Sequence, residues 1–115
     1  MRGFNYAFKG LKTAFLSEVN LKTHLVIATL ALFLGWYFEI SAIEWILVIL
    51  CIGMVISTEL INTALEYLVN LVSPEFNPIA GKIKDVAAGA VLIASISALI
   101  TGLIIFLPKI MGVLG

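Results

Sequence analysis

Charge is scarce in this 115-residue chain: Asp, Glu, Lys and Arg together make up 12% of it. Soluble domains usually carry about 25%. The formal net charge is zero, which excludes an electrostatic grip on nucleic-acid phosphates. Cysteine occurs once, as Cys51 inside an apolar run. An internal disulfide is therefore excluded, and the thiol reads as a small buried side chain. Histidine also occurs once, as His24. With no HExxH and no Cys/His cluster, zinc hydrolysis lacks ligands. There is no GxxxxGK[ST] loop and no GxSxG elbow, so P-loop and serine-hydrolase chemistry are excluded as well. The first twenty residues lack the solid apolar core of a secretory signal peptide. Proline is confined to positions 74, 78 and 108.

What is abundant is apolar side chain, at 62% of residues. That composition predicts an integral membrane protein. Residues 2–20 read as an amphipathic helix. Phe4, Phe8, Leu11 and Phe15 share one face, and Arg2, Lys9 and Lys12 lie on the other. Such a helix suits the membrane interface, or packs on a core as an ordinary surface helix. A first span is expected over 21–38, closed by the interfacial aromatics Trp36 and Tyr37, with His24 as a boundary residue. After the acidic turn at 39–44, a second helix is expected over 42–72, about 45 Å long and longer than a bilayer core. Two prolines and a glycine in residues 73–81 predict a loop, and a third span follows over 86–107, ended by Pro108. Ala90, Ala94, Ala98 and Gly102 repeat every four residues on that span, a spacing that lets helices approach closely. The fold class is thus all-α integral membrane, one domain over 1–115. Three spans enclose a site poorly, so the bundle is expected to be completed by homo-oligomerisation.

The second helix ends in a polar stripe. Glu59, Asn62, Thr63, Glu66 and Asn70 fall at i, i+3, i+4, i+7 and i+11, on one helical face. The residues between them are apolar, and Trp45 to Thr58 carries no charge. Carboxylates at membrane depth cost a few kcal/mol each on insertion scales and tend to face a bundle interior or a site. The alternative is a helix that has left the bilayer and shows a solvated face. Glu18 projects beside Phe4 and Leu11 rather than among the lysines, and calls for a cation or a metal as partner. Four of the basic residues lie in the N-terminal segment and two in the loop before the third span, which places both in the cytoplasm and the C-terminus outside. Glu18, the stripe and Lys84-Asp85 then meet at one boundary. Carboxylates beside a lysine and amides can bind Mg²⁺ and a polyphosphate. The residues themselves thus point to a membrane site for a phosphorylated ligand and a divalent metal.

Glu59-Leu-Ile-Asn-Thr-Ala-Leu-Glu66 with Val69-Asn70-Leu71, followed by Ala80-Gly-Lys-Ile-Lys84-Asp85-Val-Ala-Ala-Gly-Ala-Val91, resembles the signature of the prokaryotic diacylglycerol kinase family. That family includes undecaprenol kinases. The resemblance runs nearly end to end, from Tyr6-Ala-Phe-Lys-Gly-Leu-Lys12 through the third span. It implies a homotrimeric enzyme of the bacterial inner membrane that uses MgATP to phosphorylate a lipid alcohol. It further implies Glu59 as general base and Glu18 and Glu66 as Mg²⁺ ligands. Asn62, Lys84 and Asp85 match positions at the ATP, and Tyr6, Glu75 and Asn77 match positions near it. Asn70 stands where the family pattern usually has Asp, and an upstream arginine contact is absent or replaced by Arg2. The stretch Glu18-Val-Asn-Leu-Lys-Thr-His24 looks more like the undecaprenol branch than the diacylglycerol branch. The competing reading is a non-enzymatic transporter or channel subunit with an acidic intramembrane stripe.

Overall fold

The computed structural model describes residues 2–115; the Arg2 side chain, and with it the expected arginine contact, lies outside the described residues. Four helices follow one another: α1 (Arg2–Ser17), α2 (Val19–Tyr37), α3 (Ala42–Val72) and α4 (Pro78–Leu114), with no strand among the described residues. Three of them, α2, α3 and α4, are long and apolar enough to cross a membrane. Phe4, Phe8, Val26, Leu30, Ile49 and Ile104 are among the many large apolar side chains left exposed. Exposure on that scale needs lipid or a partner surface against it, and the chain is a membrane protein.

The surface helix and first span meet two residues earlier than the spacing suggested. Glu18 is extended (φ −117°, ψ 116°), and its amide donates to the Ala14 carbonyl at 2.9 Å to finish α1. Glu18 makes no side-chain cap for α2, so its carboxylate is left for other work. Ala14 and Leu21, one on each side of the break, are buried and pin it to the bundle.

At the other end, α2 closes in a Schellman motif. Ile40 donates to the Gly35 carbonyl at 3.2 Å and Glu39 to that of Trp36 at 3.3 Å. Glu39 occupies the left-handed position with φ 51°, where glycine is the usual residue. Gly35 is needed where it stands: a Cβ there would lie 2.8 Å from Trp45 Cη2. A capping box starts α3, with Glu44 N–H donating to Ser41 Oγ at 3.2 Å and Ser41 N–H to Glu44 Oε1 at 3.0 Å. The buried cluster Ile40, Val48, Ile105 and Phe106 sits at this end, with Trp45, Ile52 and Ile110 packed around it.

The last helix corrects two expectations. The loop covers only 73–77, and α4 begins at Pro78 rather than at residue 86. Asn77 accepts from the Ile79 amide at 2.8 Å as N-cap, and proline at the first helical position lacks an N–H that would be unpaired there anyway. Pro108 does not end the helix either: α4 runs through it to Leu114. One turn's hydrogen bond is lost at proline. Beyond it, Ile110 packs on the core cluster and Lys109 Nζ reaches Glu44 Oε2 at 3.3 Å, holding the helix in register. The small-residue stripe is only partly a seam. Ala94 is buried, Ala98 and Gly102 line a cavity, and Ala90 is exposed.

Candidate active site

The polar stripe of α3 turns inward at its start. Glu59 is 2% exposed, Thr63 4% and Asn62 7%, and among the described residues Glu59 is the one large side chain that is fully buried. Glu66, two turns on from Glu59, is half-buried, and Asn70 is exposed. The stripe therefore grades from protein interior to boundary within three turns, because α3 outlasts the apolar layer that its neighbours provide. This disposes of the solvated-face reading for its inner half. Thr63 Oγ1 donates back to the Glu59 carbonyl at 3.0 Å, which satisfies its hydroxyl within the helix.

Around Glu59 the structure gathers groups from two other elements. His24 of α2 places Nε2 at 3.5 Å from Glu59 Oε2. Glu18, at the α1–α2 break, is held above the usual carboxylate range, first by burial and then by the negative charges of Glu66 and Glu59. Asn62 Nδ2 donates to Glu66 Oε1 at 3.3 Å. That bond aims the Glu66 carboxylate but leaves Asn62 Oδ1 buried without a partner. An unpaired buried amide oxygen beside mutually repelling carboxylates is a surface that needs positive charge. Lys84 of α4 reaches the outer end of the stripe, donating to Asn70 Oδ1 at 2.8 Å. The amide at position 70 thus does by hydrogen bond what an aspartate would do by ion pair.

The remaining expected residues sit further out. Tyr6 is exposed on α1, with Lys9 Nζ at 5.9 Å from its ring centroid. Glu75 lies in the exposed loop, Asn77 caps α4, and Asp85 is exposed on α4. Neither Glu75 nor Asp85 makes an ion pair among the described residues.

A group of three or more His, Cys, Asp or Glu side chains close enough to hold a metal by themselves does not occur among the described residues. Mg²⁺ does not require one. It keeps several waters and takes one or two carboxylates together with substrate phosphate oxygens. The hard oxygen donors of Glu18 and Glu66, and the unpaired Asn62 oxygen near them, fit such an ion. Below the carboxylates, a cavity of about 450 Å³ opens between α2, α3 and α4, bordered at its polar end by His24 and otherwise almost wholly apolar. Sequence reasoning treated His24 as an interfacial boundary residue and so missed its place at the site. No local spacing reports a contact between residues 35 positions apart.

An apolar bundle of three spans that ends in a carboxylate cluster defines an integral membrane protein with its chemistry at one boundary. Comparison with known proteins narrows the class. The family model described as prokaryotic diacylglycerol kinase matches residues 5–106, and the chain belongs to that family. It is 39% identical over 109 residues to an undecaprenol kinase of Bacillus subtilis (strain 168), covering 95% of this chain and 89% of that relative. To a diacylglycerol kinase of Escherichia coli (strain K12) it is 32% identical over 101 residues, covering 88% and 83%. To one of Helicobacter pylori (strain ATCC 700392 / 26695) it is 34% identical over 102 residues, covering 83% and 80%. The chain is thus an enzyme of the diacylglycerol/undecaprenol kinase type, a lipid kinase, and the transporter reading is set aside.

Proposed function

We propose that this enzyme transfers the γ-phosphate of MgATP to the primary hydroxyl of a membrane lipid alcohol, with undecaprenol as the preferred acceptor. The observation that carries the reading is the depth order of the carboxylates: Glu59 buried, Glu66 half-buried two turns outward, Glu18 beside both. A lipid hydroxyl arrives from the bilayer and ATP from water. The proton acceptor must lie on the membrane side of the phosphate-binding groups, and Glu59 does. It removes the proton from the alcohol as the oxygen attacks the γ-phosphorus in line and ADP leaves. Glu18 and Glu66 hold the Mg²⁺, which supplies charge neutralisation at the phosphate oxygens. Asn62 keeps Glu66 aimed through its 3.3 Å bond. Lys84 neutralises phosphate charge from the α4 side, while Asp85, Tyr6, Glu75 and Asn77 border the nucleotide.

The higher identity to an undecaprenol kinase, 39% against 32% to a diacylglycerol kinase, supports the acceptor. The basic N-terminal segment and the loop before α4 support a cytoplasmic site in a bacterial inner membrane. The exposed apolar faces of all three spans support a trimer that completes the site. The test is a phosphorylation assay with radiolabelled ATP and purified protein, supplied with undecaprenol and diacylglycerol side by side. Label in the polyprenol, dependent on Mg²⁺, is expected. Stronger labelling of diacylglycerol would reverse the acceptor assignment, and labelling of neither would refute the reading.

A further inference from the structure

Glu59 has one basic neighbour. Among the described residues, His24 is the only cationic or imidazole side chain within ion-pair distance of its carboxylate, with Nε2 3.5 Å from Oε2. The contact is built rather than incidental. Leu21, three residues before His24 on the same face of α2, is 3% exposed and locks that helix against its neighbours. The Glu59 side chain is 3% exposed and the imidazole 20%, so His24 is the more open of the pair. His24 also lies at the border of the apolar cavity, between its lipid-like interior and the polar stripe.

We propose that His24 is the positioning and proton-exit residue for the base: it orients Glu59 and takes from it the proton that the lipid alcohol releases. This rests on the reading of Glu59 as base. The balance is simple. The alcohol O–H breaks and its proton goes to a Glu59 oxygen, while the alcohol oxygen bonds to phosphorus and ADP leaves with the other bonding pair. The proton then passes from Glu59 to Nε2 of neutral imidazole, and from imidazole to water on the exposed side. Glu59 is returned as an anion without having to open to solvent.

The titratable groups facing the pair are few. From α3 they are Glu66 and, on the cavity wall, Cys51; from the α1–α2 break, Glu18. The α4 wall of the cavity contributes Ser95, Thr101 and apolar residues, none of which titrates. A change in pH dependence on altering His24 is therefore assignable.

The experiment compares wild type, His24→Gln, His24→Ala and Glu59→Gln in lipid, with MgATP and acceptor saturating. His24→Gln keeps a hydrogen-bonding group but cannot take a proton. It should lower kcat by about 10–10²-fold, the range found when a supporting partner of a catalytic group is lost, and leave the ATP KM within about twofold. The pH–rate profile of His24→Gln should differ from that of wild type, because the glutamine amide cannot exchange a proton with Glu59. Added imidazole should restore part of the turnover of His24→Ala, which a packing role would not predict. An unchanged pH profile in His24→Gln together with no imidazole rescue of His24→Ala overturns the proposal, whether or not kcat falls. Full turnover in Glu59→Gln fails the underlying reading instead, and the two failures are told apart in one experiment.

Discussion

Each carboxylate of the cluster has a different surrounding, and a substitution should report it. Glu59 is buried with a basic neighbour at 3.5 Å. Glu59→Gln keeps the shape and removes the proposed proton acceptor. Turnover should fall by roughly 10²–10⁴, the usual contribution of a general base, with ATP and lipid affinities little altered. Retained turnover would mean that Glu59 only orients α3. Glu18 is raised by burial and by its two acidic neighbours. A carboxyl whose folded pKa exceeds its unfolded value binds its proton more tightly when folded. Its contribution to stability is present below the unfolded value of 4.5 and is lost as pH rises toward the folded value. Glu18→Gln mimics the protonated form. Without metal it should raise the unfolding temperature at pH 7 and leave it unchanged below about pH 4, where both proteins are neutral at this position. MgATP should then stabilise wild type more than the variant, since a ligand stabilises the state that binds it. Thermal unfolding in detergent at the two pH values, with and without MgATP, checks both statements.

The helices differ in how they end, and the ends position the site. α1 and α2 part at Glu18 without a side-chain cap, and the carboxylate faces the cluster because it is not spent on the helix. The opposite end is clamped by the Schellman turn and the capping box. That clamp contains one misfit, the left-handed Glu39 at φ 51°. Glycine avoids the clash of a Cβ with its own backbone there, so Glu39→Gly should stabilise the protein by about 0.5–1 kcal/mol. Equilibrium unfolding in mixed micelles measures it. Kinase activity should not change, because the turn is at the far end of α3 from Glu59. The Lys109–Glu44 pair next to it is partly exposed on both sides, at 30% and 27% of side-chain area. A pair so exposed is screened by solvent and contributes little to stability. Its place in the fold is to hold the last turns of α4 after Pro108.

At the scale of the molecule, three spans lie side by side and leave most of their apolar surface uncovered. The bilayer covers part of that surface, and the proposed partner subunits cover the rest. Topology is open to direct test. In a Cys51→Ala background, Ser41→Cys and Phe76→Cys should label from opposite sides of the membrane, with Phe76, 95% exposed, on the cytoplasmic side. Labelling of both from one side would invert or break the three-span arrangement. The same geometry makes the carboxylate cluster a boundary device. It lies at the end of the bundle where α3 outlasts its apolar cover; on the proposed reading, a lipid head and a soluble nucleotide reach it from opposite directions.

Sequence alone determined the class and made the polar stripe of the candidate site legible. Apolar runs of spanning length require helices in a bilayer, since every backbone group must be paired within its own segment. The polar stripe on α3 was legible because helical periodicity puts residues 59, 62, 63, 66 and 70 on one face whatever surrounds them. The ends of α4 were misread for the same local reason. Proline and glycine signal a break, but proline at a first helical turn, or deep in an apolar helix with packed neighbours, does not break it. What only the tertiary structure decided is which groups from different helices meet: Glu18 beside Glu66, Lys84 on Asn70, His24 on Glu59. These contacts depend on the crossing and register of helices packed against one another. Neither is encoded in the spacing of residues along any one of them.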